Sequence, residues 1–306
     1  MIVITGGLGF IGNELVRQLK NAGEKLVILD NRNRVAPSID DIADIPVYDV
    51  DITNKDSVLS AFEEIRPDTV FHLAAIHYIP ECNDNPERTL RVNVEGTESI
   101  LNASAKVGVS KFIYISSGAV YADSADLLSE SAPVSPVDIY GWSKWFGEQL
   151  CHLNYTSYGT PTVICRLFNN YGPRETNMHI IPEVIKQLSA GDKLHLGNTT
   201  TVRDYIHTMD CAKALIKLSH CCEGATKIVN VAHGNGYTVN EMINKIQHIT
   251  GRAITIKSDK TRMRKVDKQS QVADIALLKQ LTGWQPEINI QDGLSDLLRF
   301  EKLILS

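Results

Sequence analysis

Met1-Ile-Val-Ile-Thr-Gly-Gly-Leu-Gly-Phe-Ile-Gly12 opens the chain with an apolar run, a glycine-spaced turn and the start of a helical pattern. Strand, loop and helix in that order are what a dinucleotide-binding start requires. Gly6 suits the tight turn after the strand, Gly9 lets backbone approach a pyrophosphate, and Gly12 lets a helix beginning near Phe10 pack against the strand. The amino end of that helix then faces the phosphates, with Phe10 and Ile11 as further candidate contacts. Lys25-Leu-Val-Ile-Leu29 reads as the next strand. Asp30 follows it about 20 residues after Gly12, where a carboxylate accepts hydrogen bonds from an adenosine ribose. An acid there repels a 2'-phosphate, so the expected cofactor is NAD, with Asn31 beside it and Arg32 and Arg34 as the nearby cations.

With 306 residues, 43% of them apolar, the chain can bury a sizeable core as one large domain or two intimately packed ones. A net charge of −5 provides no basic field, which argues against a nucleic-acid partner. Cys82, Cys151, Cys165, Cys211, Cys221 and Cys222 form no C-x-x-C pair and have no matching histidine spacing. The expectation is reduced thiols, no metal site and a cytoplasmic protein. The first strand begins at Ile2, which leaves no room for a signal peptide, and no apolar run is long enough to cross a bilayer.

Farther on, strands alternate with helices. Pro46 to Val50 reads as a strand, and Asp51-Ile52 after it can border an adenine, although Asp51 also suits a helix cap. Asp56 to Ile65 has helical spacing, and Thr69 to Leu73 is the fourth strand. Ala74-Ala75 leaves space for a cofactor backbone, and His77 lies close to it. Pro86 begins a long helical pattern in which Asn93 can hydrogen-bond the loops below the cofactor. Lys111 to Ile115 is the fifth strand and places Ser117 at its end. This alternation specifies an α/β fold, a Rossmann-type doubly wound parallel sheet with ligands at the strand carboxyl ends.

Tyr140 and Lys144 stand at i and i+4, so a helix puts them on one face. Bringing a tyrosine from about 10 to about 7 takes roughly 4 kcal/mol of differential stabilisation of the phenolate. Lys144 and the positive nicotinamide of NAD+ are charges of the kind that could supply it. Tyr140 would then accept a proton from a substrate hydroxyl while Ser117 hydrogen-bonds the same oxygen. Tyr-x-x-x-Lys alone is common; the succession of glycine loop, acid, strand-end serine and Tyr-x-x-x-Lys is not.

Thr5 to Gly12, with its wide first glycine gap, His72-Leu73-Ala74-Ala75, Ser117, Tyr140 with Lys144, and Arg166 to Arg174 together resemble the extended short-chain dehydrogenase/reductase family, in its nucleotide-sugar branch. The likeness spans essentially the whole chain and is strongest to the UDP-sugar 4-epimerases. It implies an NAD-binding domain over 1–168, to which later segments can return, and a smaller α/β nucleotide-sugar domain over 169–306. It implies that Phe168 sits beside the nicotinamide and that Asn169, Arg203 and Arg264 meet the substrate diphosphate. It further assigns Asp267 to a ribose, His179 and Ile180 to the nucleotide pocket, and Leu194 and Leu196 to the strand beside the base. A homodimer through the helices after Pro86 and around Tyr140 is implied as well.

In that family, dehydratases resemble one another in carrying Asp-Glu directly after the strand-end Ser or Thr, and decarboxylases carry a Glu at the second position. Here Gly118 and Ala119 stand there, and neither transfers a proton. The remaining course is oxidation at C4 of a UDP-sugar, turnover of the keto sugar and return of the hydride to its other face. The alternatives on the same scaffold are a dehydratase, decarboxylase or 4-ketoreductase, and more remotely a non-catalytic NAD-binding regulator. Ala122, Cys82 and Gln271 depart from or vary within the family pattern and leave the sugar open.

Overall fold

The computed structural model describes residues 1–37, 39–175, 177–263 and 267–305. Among these, seven strands form one parallel sheet in the order Lys227–Val231, Thr162–Leu167, Lys111–Ser117, Thr69–His72, Ile2–Thr5, Leu26–Asp30, Val47–Asp49. The strands are apolar on both faces because helices cover both. Ile4, Ile28, Phe71 and Ile113 face one buried cluster, and Val3, Val27, Val70 and Phe112 the other. The chain winds outward from Ile2–Thr5 to one edge, then crosses back and winds to the other. Its switch point lies between Ile2–Thr5 and Thr69–His72, so a crevice opens above the carboxyl ends of those two strands.

The expected elements form close to their expected bounds, with informative differences. The second strand includes Asp30, whose carboxylate thereby projects from a strand end. Asn54, and not Asp51, caps helix Lys55–Ile65, accepting from the Ser57 N–H at 3.0 Å. Asp51 instead turns back on Thr53, accepting from its N–H and its hydroxyl. The helical stretch after Pro86 is not uniform: helix Pro86–Leu90 passes into a π-helical turn, Arg91–Glu95, before helix Gly96–Val107. A π turn inserts an extra residue, and Asn93 lies on it.

After Leu167 the chain leaves the large sheet. Strand Asn169–Tyr171 pairs with Val202–His207, which also pairs with Gly236–Thr238 and Ser270–Gln271; Lys193–Leu196 pairs separately with Thr255–Ser258. Helices Ile180–Ala190, Val239–Thr250 and Ile290–Phe300 contribute Ile181, Val184, Ile243 and Leu294 to a third core. Several later segments return across residue 168, helix Ala276–Thr282 among them, which packs on strand Lys227–Val231. Helix Thr208–His220 packs on the first helix, Phe10–Asn21, and Lys227–Val231 closes the edge of the large sheet. Among the described residues no helix is long and apolar enough to cross a membrane.

Candidate active site

Strand Lys111–Ser117 delivers Ser117 as its last residue, and helix Ile139–Tyr158 runs beside it. The Asp138 side chain caps that helix by accepting from the Gly141 N–H at 2.8 Å, which fixes Tyr140 in the first turn. The Ser117 hydroxyl lies beside the Tyr140 phenol and favours its ionised form, and one turn on the Lys144 ammonium lies 5.9 Å from the Tyr140 ring centre. Lys144 is almost fully buried and donates to the Ile115 carbonyl at 2.8 Å. Burial lowers its pKa to about 8, against the neighbouring thiols and Glu148, which favour its charged form. Burial also raises Tyr140 above the ordinary tyrosine range, and the Ser117 hydroxyl opposes that shift only in part. Desolvation by burial is thus the largest influence on the Tyr140 phenol in the protein by itself.

All three side chains line a cavity of about 350 Å³, within the usual range for small-ligand sites. Its other end is the glycine turn. Gly6 has a φ of +69°, and a Cβ added there would meet the Ala74 Cα at 2.9 Å; one added at Gly12 would meet the Gly6 carbonyl at 2.2 Å. The loop thus stays open only with glycine at these places, and helix Phe10–Asn21 points its amino end at the opening. Asp30 accepts from the Leu8 N–H at 3.1 Å and the Arg32 N–H at 2.8 Å, while its burial raises its pKa. Arg34 is engaged elsewhere, by Asn177 and Glu81. These groups fit a dinucleotide: a backbone cradle for the pyrophosphate and an acid, not a cation, at the ribose. Phe10, Ile11, Asn31, Asp51, Ile52 and Leu73 line the same cavity, as do Ala74, Ala75, His77 and Phe168.

Asn93 does not line the cavity; it works behind the wall. It accepts from the Ile76 N–H and donates to the Ile76 carbonyl, each at 2.8 Å, and donates to the Ser143 hydroxyl at 2.9 Å. Ser143 in turn donates to the Tyr140 carbonyl at 2.7 Å. His72 belongs to the same framework. The Thr97 hydroxyl donates to the Asn93 carbonyl, so it accepts from His72 Nε2–H at 3.0 Å, leaving Nδ1 to accept from Thr5 at 2.7 Å. One neutral tautomer satisfies the whole chain. This network ties the loop after Thr69–His72 to the first turn of helix Ile139–Tyr158.

Of the residues expected at the substrate, Asn169, His179, Ile180 and Arg203 line the cavity. Arg203 also donates to Asp267 at 2.6 Å and to the Val202 carbonyl at 2.8 Å, so two residues expected at separate substrate groups are paired with each other. Arg264 lies outside the described residues. Leu194 and Leu196 are corrected: strand alternation turns both side chains into the third core, with Lys193 and His195 outward. Their side chains build the domain rather than the cavity wall. The sequence reading missed Glu175, Glu81 and Arg88, which also line the cavity. Each is an ordinary surface-type charge in sequence; Glu81 and Arg88 arrive on helices Ile79–Asp84 and Pro86–Leu90, and Glu175 on the connection before helix Ile180–Ala190. Gly118 is filled from behind: a Cβ there would meet the Phe168 ring at 3.2 Å. Gln271 donates to the Gly118 carbonyl at 3.0 Å, and Lys268 to the Ala119 carbonyl at 3.0 Å.

Comparison with known proteins agrees with this geometry. The pattern of the NAD dependent epimerase/dehydratase family matches residues 2–232. The chain is 30% identical to the GDP-6-deoxy-D-mannose reductase of Pseudomonas aeruginosa, over 97% of this chain and 95% of the relative. It is 28% identical to a UDP-glucose 4-epimerase of Halalkalibacterium halodurans, over 94% and 90% respectively. The crystal structure of Thermotoga maritima UDP-glucose 4-epimerase with UDP-glucose superposes with a TM-score of 0.89 at 27% identity, covering 98% of both chains.

Proposed function

The chain belongs to the NAD dependent epimerase/dehydratase family, and from that premise we propose that it is an NAD-dependent epimerase inverting C4 of a UDP-linked sugar. The observation that carries the reading is the Ser117 loop. It offers a hydroxyl beside Tyr140, while its next two positions are Gly118 and Ala119, the first packed closely against the Phe168 ring and neither carrying an acid. A site built this way can take a proton from one oxygen and return it, but at this loop it lacks the second acid-base group that loss of water or carbon dioxide needs.

NAD, when bound in the glycine cradle with Asp30 at its ribose, supplies a hydride acceptor and, on the return, a donor. Tyr140 removes the proton of the C4 hydroxyl and gives it back after the keto sugar has turned over. Ser117 hydrogen-bonds the same oxygen and keeps it in line with the phenol. Lys144 holds positive charge behind the phenolate. Asn169, Arg203 and Arg264 serve the diphosphate, which arginine suits through its planar fork of donors. Asp267 serves a ribose once Arg203 turns to phosphate. The working form is a homodimer.

The test is to incubate purified protein, without added cofactor, with UDP-glucose, UDP-N-acetylglucosamine and UDP-glucuronate, following products by NMR and mass. An isomer of unchanged mass is expected from at least one of them. Loss of water or carbon dioxide would overturn the epimerase reading in favour of a lyase on this scaffold. No product from any of the three would overturn the UDP-sugar assignment.

A further inference from the structure

His77 and His179 come from two separate loops to face each other across the cavity, ring centres 5.6 Å apart. Glu175 joins them. One donor atom from each of the three lies within 4.8 Å of the other two, and all three residues are half-buried. The orientation of His77 is set. Its Nε2 accepts from the Asn177 side-chain amide at 2.9 Å, with the backbone at Ala75 close to the ring. Two imidazoles and a carboxylate with their ligand atoms this close, one ring fixed by a hydrogen bond, are an arrangement that metal-ligating residues adopt.

We propose that His77, Glu175 and His179 bind a divalent transition-metal ion, zinc first, with the Asn177 amide giving way and a fourth position open to the cavity shared with Ser117 and Tyr140. Two imidazoles and one carboxylate are a borderline donor set that favours zinc over magnesium or calcium, which want oxygen alone. Tetrahedral ligands at ordinary zinc bond lengths stand about 3.3 Å apart, so the loop bearing Glu175 and His179 closes by up to about 1.5 Å on binding. The open position takes water or an oxygen donor of the bound substrate. The sequence carries no signal for this site, because its three ligands share no motif spacing. The site does not depend on the C4 epimerase reading, and its test is a binding measurement.

Full-length protein is treated with chelator, incubated with zinc sulfate, desalted and assayed for metal, with a parallel Co2+ titration followed by visible d–d absorption. One equivalent of zinc is expected in the wild type, together with tetrahedral cobalt bands and a raised Tm. His179→Ala and Glu175→Gln are each expected to weaken binding by at least about tenfold and to abolish the cobalt bands. Magnesium and calcium are expected to leave the Tm unchanged. Circular dichroism shows whether each variant folds, and Glu175→Gln, nearly isosteric, carries the test if His179→Ala does not. No zinc in the wild type, or the same stoichiometry and spectrum in a folded variant, would overturn the site.

Discussion

Burial pulls Tyr140 and Lys144 in opposite directions, raising the phenol and lowering the ammonium to about 8, so in each the neutral form gains. A base at Tyr140 then needs positive charge beyond that of Lys144, and the bound nicotinamide is the candidate. The expected outcome is that ultraviolet difference spectra of the cofactor-free protein show no phenolate from Tyr140 near neutral pH, whereas adding NAD+ brings a phenolate signal that Tyr140→Phe lacks. A phenolate already present without NAD+ would mean that the protein tunes the residue unaided. Tyr140→Phe itself is expected to lower kcat by roughly 10²–10⁴ while leaving NAD binding within a few-fold, as titration of cofactor binding would show. His72 supplies a second pH effect, on stability. Its folded pKa is about 3, chiefly through burial and then through Lys144, below an ordinary value of about 6.5. Between those values the unfolded chain binds the extra proton, so this contribution is complete above about 6.5 and is lost as pH falls toward 3. Urea midpoints are expected to fall on acidification from about pH 7 to about pH 5, and less steeply in His72→Gln. An equal slope in the variant would assign the acid sensitivity to other groups.

Helix Ile139–Tyr158 holds the reacting residues only because it is fastened to the strand beside it at successive turns. Lys144 bonds the Ile115 carbonyl; one turn later Glu148 accepts from Ser116 at 2.5 Å and from both ends of the Arg166 guanidinium, at 2.9 and 2.7 Å. Both charges are buried, and Arg166 lies 4.6 Å from the Tyr121 ring centre. Removing one partner of such a pair strands the other, so Glu148→Ala is expected to cost about 3–5 kcal/mol in urea unfolding. A loss below about 1 kcal/mol would show that water replaces the carboxylate and that the pair does not anchor the helix. The sequence carried the helix itself and the Tyr140–Lys144 spacing, because periodicity and an i, i+4 relation are local. It did not carry Glu148 as the partner of Arg166, nor the π turn that brings Asn93 under Ile76. Both depend on which helix meets which strand: a glutamate within a helical pattern reads as solvent-facing until that meeting is known, and a π turn has no local sequence signal.

At the scale of the molecule, the cavity forms where the switch point of the large sheet meets the second, smaller layer, and legibility divides along the same line. The cofactor half follows from the order of glycine turn, strand-end acid and strand-end serine, each read within one βα unit. The sugar half depends on loops closing from afar: Glu175 and His179 meet His77, and Leu194 and Leu196 turn inward because small-domain alternation, not motif position, decides their side. Assembly is a matter of the whole surface. Trp142, Phe146 and Leu153 are exposed at 41%, 40% and 61%, and at about 100° per residue they fall on one stripe of helix Ile139–Tyr158. The rings of Trp142, Trp145 and Phe146 pack together along it. An apolar stripe on an otherwise polar helix face is stable when a second copy covers it, and one helix meeting its own twin makes a self-complementary two-fold contact. Light scattering of the purified protein is expected to give twice the chain mass. Phe146→Glu with Leu153→Glu places like charges face to face across that axis and is expected to give monomers that still bind NAD, since neither residue lines the cavity. A wild-type monomer, or a double variant that remains dimeric, would remove this helix face as the interface.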